Sequence, residues 1–177
     1  MSAELELLIL SDAPPEVPVR AFGVIAGRLS GLLPYAEVEH VGSTSVSGCI
    51  GKGDIDVLVR VLAADFVTAA AVLDTLLARS LRNDATDSYV EYDWWQDGVS
   101  ASVQLVVAGS FHDGRFRGLK RVLLGDPDAV ERYNSLKTDC TGASMDVYRG
   151  RKRKLIDDLL AGRDASLDAS VCPGVRW

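Results

Sequence analysis

The sequence predicts an α+β domain, a small mixed β-sheet with helices packed on it, followed by a helical C-terminal part. Three observations predict it. Short extended apolar runs alternate with stretches of helical periodicity through the first part of the chain. One extended run, residues 56–62, is almost continuously apolar, as expected where both faces of a sheet are covered. From residue 113 onward the pattern is helical, punctuated by Gly and Pro.

Each element follows from local chemistry. Residues 5–10 are apolar and extended in character, an expected edge strand. Pro14, Pro15 and Pro18 break that run and start a helix whose stripe is Phe22, Ile25, Ala26, Leu29 and Leu33; Pro34 ends it. Residues 38–41 form a strand leading into Gly42-Ser43, and 56–62 the apolar strand. Asp65 is placed to cap a helix over 66–79 that buries Val67, Ala70, Ala71, Leu73, Leu76 and Leu77. Residues 89–95 and 102–107 read as a hairpin with Asp97-Gly98 near its turn. Helices are expected over 113–124, from Asp126 to about residue 141, and over 145–160; Asp126-Pro127 is a strong start signal.

The chain of 177 residues suits a single domain over 1–162, its helical C-terminal part about 113–161, with 163–177 a flexible tail. A net charge of −6 excludes a protein that coats nucleic acid by bulk positive charge. Cys49, Cys140 and Cys172 are odd in number and widely spaced, which fits free thiols in a reducing cytoplasm. The acidic start is unlike a signal peptide, and no apolar run suits a bilayer, so no membrane partner is expected.

The chemistry concentrates between His40 and Val59. Side chains alternate along a strand, so Asp54 and Asp56 share a face, with Ile55 and Val57 opposite. Adjacent carboxylates repel, and a divalent cation is the usual compensator. The Gly42-Ser43 turn offers backbone N–H groups and a hydroxyl to phosphate oxygens, and Thr44, Ser45, Ser47 and Gly48 keep bulk away. These are the parts of a metal–nucleoside triphosphate site. The alternatives are a solvated strand start and a plain turn. Around Lys52 the spacing is not that of a Walker A loop.

Gly42-Ser43, ten intervening residues, then Asp54-Ile55-Asp56 and an apolar run resembles the signature of the nucleotidyltransferase superfamily, whose fold is DNA polymerase β-like. Within it the chain is similar to the GrpB family. The likeness rests on His40-Val41-Gly42-Ser43-Thr44-Ser45-Val46, Gly48, Lys52 and Asp56. It continues through residues 103–107, Phe116-Arg117, Asp126-Pro127, Tyr133, Leu136-Lys137, Tyr148 and Lys152. The chain departs from the family's usual pattern at Ser47 and Gly53 (usually Pro), Asp54 (usually apolar) and Gln104 (usually His).

The resemblance implies a nucleotidyltransferase-like fold and metal-dependent nucleotidyl transfer. The donor would be a nucleoside triphosphate and the acceptor a hydroxyl on a small molecule or RNA. Asp54 and Asp56 are the expected catalytic residues and ligands of Mg²⁺ (or Mn²⁺). Gly42, Ser43, Lys52, Arg117, Lys120, Lys137, Tyr148 and Lys152 are the expected nucleotide-binding residues. Arg117, Lys120 and Arg121 share one helix face, for phosphate or simply for solvent. A third carboxylate is implied on the strand that carries Gln104, which cannot take a proton. Glu91 and Asp93 share a face and are the nearby substitutes, unless that face is solvated. The alternative function is a nucleotide-binding or regulatory module without catalysis. A nucleic-acid role rests on the basic run 149–154 alone. His40 is expected to be structural, and Trp94 and Trp95 to face opposite ways.

Overall fold

The computed structural model describes residues 6–167, with side chains through 162. Helix α1 (Glu16–Leu32) precedes strand β1 (Glu37–Val41) and a 3-10 turn at Ser43–Ser45. Strand β2 (Ile55–Val61), helix α2 (Phe66–Asp74), and strands β3 (Ala78–Arg79), β4 (Tyr89–Gln96) and β5 (Val99–Val107) complete the sheet region. Helices α3 (Phe111–Gly125), α4 (Pro127–Asp139) and α5 (Met145–Leu167) follow. The sheet order is β1-β2-β5-β4-β3, and only the β2–β5 pair is parallel.

The alternation in the strands decides where everything else goes. Ile55, Val57, Val59 and Val61 point to one face with Val103, Leu105, Val90 and Tyr92. Helices α1 and α2 cover that face with Ala21, Ile25, Leu29, Phe66, Ala69 and Leu73, giving the main core. The opposite face carries Asp56, Ser102, Gln104 and Glu91. Its outer part is closed by Val41, Leu58, Tyr89 and Val106 beneath Phe116 of α3. A second core under α3–α5 contains Val46, Leu119, Val122, Tyr133, Ile156 and Leu159, so it packs on the segment after the Gly-Ser turn.

Several expectations are corrected. Residues 6–10 of the expected 5–10 edge strand do not edge the sheet, and Leu5 lies outside the described residues. Leu8 N–H donates to Ala143 O at 2.9 Å, Gly142 N–H to Leu8 O at 2.8 Å and Met145 N–H to Glu6 O at 2.9 Å. This segment is thus tied to the turn before α5, and Leu8 is buried with Cys140, Met145 and Tyr148. Helix α2 ends at Asp74 rather than 79. The Thr75 hydroxyl donates to Val72 O at 2.7 Å, and Leu77 N–H to Leu73 O, tightening the chain into a turn. Ala78 and Arg79 then pair with β4. Asp65 makes no side-chain cap on α2. By contrast Asp126 caps α4, accepting from Asp128 N and Ala129 N with Pro127 in the first turn.

Asp97 and Gly98 both have positive φ, 51° and 80°, as a tight two-residue hairpin requires, and β5 therefore begins at Val99. Helix α5 continues to Leu167, past the expected domain end, and 168–177, with Cys172 and most of the expected tail, lie outside the described residues. Cys49 and Cys140 are free thiols. Among the described residues no helix is long and apolar enough to cross a membrane.

Leu8→Ala tests the N-terminal tie. It empties a fully buried site, so urea denaturation is expected to show a loss of about 2–5 kcal/mol. An unchanged midpoint would mean the segment is not part of the cooperative unit.

Candidate functional site

The site begins where β1 runs into Gly42. Gly42 has φ 71°, and a Cβ there would lie 2.1 Å from Asp56 Oδ2. Only glycine lets the turn rest on that carboxylate. The Ser45 hydroxyl closes the turn by donating to Gly42 O at 2.7 Å. Thr44 Oγ1 donates to Asp54 O at 3.2 Å and is 3.0 Å from His40 Nε2, so the imidazole donates from Nε2. His40 stacks on Phe22, and burial, aided by Lys120, pushes its pKa down to about 4. It is neutral at physiological pH and ties the turn to the Asp54 segment.

β2 starts at Ile55, so Asp54 stands one residue before the strand. Both carboxylates nonetheless line one cleft of about 700 Å³, together with Ser43, Lys52, Glu91, Gln104, Lys137, Tyr148 and Lys152. Lys52 Nζ is 3.0 Å from Asp54 Oδ2. Asp56 has its pKa pushed up to about 6, first by desolvation, then by Asp54 and Glu91, against the pull of Lys152 and Lys52. The cleft floor is therefore rich in negative charge.

Helices α4 and α5 supply a basic wall. Lys137 is buried, donates to Ile50 O and sits 4.4 Å from the centre of the Tyr133 ring. Desolvation and the neighbouring Lys152 push its pKa down to about 7. Lys152 is pushed up by Tyr133 foremost, and by Tyr148, Asp56 and Asp54, against burial. Asn134 pins the loop to α4: its Oδ1 accepts from Ile50 N at 2.9 Å and its Nδ2 donates to Gly48 O at 2.7 Å. The basic run splits on the helix. Arg149, Lys152 and Arg153 line the cleft, whereas Arg151 and Lys154 are exposed and outside its lining.

Arg117 and Lys120 are a correction. Neither lines the cleft: Lys120 Nζ is 2.8 Å from Glu39 Oε1 and donates to His40 O, and Arg117 Nε is 3.4 Å from Glu39 Oε2. Glu39 is opposite Leu58 in the sheet, on the face that α3 covers, and it collects both cations. Gln104 is also committed. Its Oε1 accepts from Tyr89 OH at 2.6 Å. Glu91 is buried rather than solvated. Burial would raise its pKa, but bonds from Asn83 and Arg82 outweigh that and hold it below the usual carboxylate range. Arg82, Asn83 and Asn134 were not singled out from the sequence, where they look like ordinary polar positions. Trp94 packs against the core, and Trp95 is exposed at the cleft rim.

Among the described residues no cluster of three or more His, Cys, Asp or Glu forms a ready metal cage. Asp54 and Asp56, which line one cleft, could hold Mg²⁺, since that ion usually takes one or two carboxylates plus substrate phosphates.

The fold is similar to that of a solved nucleotidyltransferase. Cid1, a protein with RNA terminal uridylyl transferase activity, superposes with a TM-score of 0.50 at 14% identity, over 72% of this chain and 39% of its own. The chain is a member of the GrpB family, whose profile, described as GrpB protein, matches residues 10–161. A UPF0157 protein of Vibrio cholerae is 33% identical over 133 residues, 75% of this chain and 70% of the relative. The crystal structure of the conserved protein GrpB from Enterococcus faecalis matches with a TM-score of 0.67 at 20% identity, over 88% of this chain and 99% of that one.

Two outcomes test this geometry. Gly42→Ala places a methyl group into the Asp56 carboxylate at a positive φ. Denaturation should show a loss on the order of 1–3 kcal/mol, and a neutral substitution would refute the contact. Asp56 has a folded-state pKa above its unfolded value, so its contribution to stability is present below about pH 4 and lost as pH rises through about 6. In metal-free buffer Asp56→Asn is therefore expected to be more stable than the native chain at about pH 8, by on the order of 2 kcal/mol, with the gain vanishing near pH 4. Parallel stability–pH curves would contradict it.

Proposed function

We propose that the protein is a metal-dependent nucleotidyltransferase that moves a nucleotidyl group from a nucleoside triphosphate to a hydroxyl acceptor. The observation that carries the reading is the Asp56 carboxylate lying against the Gly42 turn in a cleft shared with Asp54 and the cations of α4 and α5. The fold is that of a class whose members include an RNA uridylyl transferase.

In this reading each residue has a task set by its chemistry. The Gly42-Ser43 turn presents backbone N–H groups and the Ser43 hydroxyl to phosphate oxygens. Lys137 and Lys152 balance the charge of the triphosphate from the wall, and Tyr148 packs beside Lys152, its ring centre 5.9 Å from Nζ. Lys52 balances Asp54 in the free protein. Asp54 and Asp56 would hold Mg²⁺ or Mn²⁺, which supplies neutralisation of charge developing on the phosphates as the acceptor oxygen attacks in line. The chain's own contribution is to orient the triphosphate and exclude competing water.

A second reading has its own observation. Gln104 is neutral and bonded to Tyr89, and Glu91 is bonded to Arg82 and Asn83, so neither is free to take the acceptor proton. A nucleotide-binding module without catalysis has this arrangement too.

Isothermal titration of ATP with and without Mg²⁺ tests the binding common to both. Affinity should depend on the metal, and Asp56→Asn should weaken it by on the order of 2 kcal/mol, about thirtyfold. Equal affinity in EDTA, or an unaffected variant, would remove the metal site. Pyrophosphate release with a hydroxyl acceptor supports the enzyme; metal-dependent binding without release across a broad acceptor screen assigns the module.

A further inference from the structure

The cleft runs on past the carboxylates to the tip of the β4–β5 hairpin. Trp95 stands there on β4, opposite Ser100 of β5. Ser100 is two residues from Ser102, the direct partner of Asp56 on β2. Alternation gives Trp95 the sheet face of Glu91, whereas Trp94 packs against the main core. Neighbouring strands are about 4.8 Å apart, so the strand of Trp95 is roughly 10 Å across the floor from that of Asp56. Between them β5 presents the short side chains of Ser100 and Ser102. A triphosphate on the turn and the basic wall leaves this side for a second ligand.

Trp95 is 70% exposed although it lines the cleft. Its cross-strand partner gives it little to pack on, because Ser100 is short and itself exposed. The backbone that carries the indole is nonetheless fixed. Trp94 is partly buried and Gln96 fully so, and the Asp97-Gly98 turn closes the hairpin directly after them. A large, flat, apolar surface is thus held at the cleft edge, with serines between it and the carboxylates. The charges on this side do not suit a polyanion. Arg82 is spent on Glu91, Asp93 and Ser102, and Asp97 adds a further carboxylate to the lining. Successive phosphodiesters would be repelled here, whereas an uncharged ring would not.

Resting on the proposed triphosphate reading, we propose that Trp95 is the acceptor-side stacking platform of the cleft, and that the acceptor is a small, uncharged alcohol of nucleoside type. Its planar ring lies on the indole, and a sugar-sized spacer carries its hydroxyl across Ser100 and Ser102 toward Asp54 and Asp56. Stacking on an aromatic side chain tolerates many rings, because each presents a π face. Tryptophan has only two side-chain torsions, so little ordering opposes binding. Selectivity then rests on a flat ring and on its distance from the hydroxyl. Trp95 touches the ring and not the reacting atoms, so it sets specificity and takes no part in the bond changes.

The test is isothermal titration with adenosine, methyl riboside and the RNA trinucleotide ApApA, in the presence of Mg²⁺ and a saturating non-hydrolysable ATP analogue. Adenosine should bind at least tenfold more tightly than methyl riboside, which has the sugar without the ring, and more tightly than ApApA. Trp95→Leu keeps apolar area but removes the π face. It should lower adenosine affinity by tenfold or more and leave methyl riboside and the analogue unaffected, with a thermal unfolding transition confirming that it is folded. Trp95→Phe should restore most of the loss. Equal binding of adenosine and methyl riboside, tighter binding of ApApA, or full adenosine affinity in Trp95→Leu overturns the assignment. So does weaker analogue binding in Trp95→Leu, which would put the donor's own base on the indole, or a dimer in sedimentation that Trp95→Leu dissolves. The analogue is titrated alone in parallel. Absence of Mg²⁺-dependent analogue binding fails the triphosphate reading, whereas its presence without preference for adenosine fails the Trp95 assignment alone.

Discussion

The site depends on one close contact, the bare Cα of Gly42 against the carboxylate of Asp56. It sets how near the turn can come to the strand, and therefore where a phosphate would lie relative to the carboxylates. Nothing regular connects the two beyond a short 3-10 turn, so the connecting segment must be held by side chains. His40 and Thr44 hold it from the strand side, through Asp54 O. Asn134 and Lys137 hold it from α4, through Gly48, Ile50 and its carbonyl. Val46 inserts between these ties into the second core. The irregular stretch is thus tied at several points, which suits the orientation of a ligand.

Charge separation across the cleft follows from this arrangement. The floor comes from the sheet and the residue before β2, where Asp54, Asp56 and Glu91 collect; the wall comes from helices, where Lys137 and Lys152 sit. Each side is displaced from its relaxed state. Asp56 is pushed toward the protonated form and Lys137 toward the neutral form, in both cases chiefly by desolvation. Perturbed groups of opposite sign in one cleft are a mark of a functional site. A cation with a polyanion relieves both strains at once, because the cation restores the charge of the acids and the polyanion that of the lysine. Neither component alone does so.

Much of this was legible in residue order. Gly-Ser followed by Asp-x-Asp and an apolar strand revealed the turn and the buried strand, because each is a local property of period and conformational freedom; Asp54 stands one residue before that strand and meets Asp56 in the cleft rather than on a strand face. Asp126-Pro127 and Asp97-Gly98 marked a helix start and a hairpin for the same reason. What failed was non-local. The run read as a strand has extended character, and a sequence does not say that its described part, residues 6–10, is tied to the turn at 142–145. The 66–79 periodicity continues past Asp74, but Thr75 and the pairing of Ala78 with Asp93 end the helix. Arg117 and Lys120 had the right charge and spacing, yet Glu39 lies far off in sequence and claims both. Arg82 was invisible because its importance comes from Glu91 being buried.

The remaining question for the proposed chemistry is how much the missing base matters. Gln104 stands where a carboxylate is implied, and its carbonyl oxygen is taken by Tyr89. Glu91 is adjacent in register but surrounded by donors, which makes it a weak base. General-base catalysis contributes roughly two to four orders of magnitude. Positioning contributes more, with effective molarities of about 10⁵–10⁸ M for well-oriented reactants. In phosphoryl transfer, positioning and charge stabilisation dominate, because the transition state asks little covalent chemistry of the protein. In the proposed reading this chain keeps the residues for those larger contributions: the turn, the carboxylates and the basic wall. Loss of the base then predicts a slow enzyme rather than an inert one, and it directs selection toward acceptors held firmly enough for their hydroxyl to wait in line.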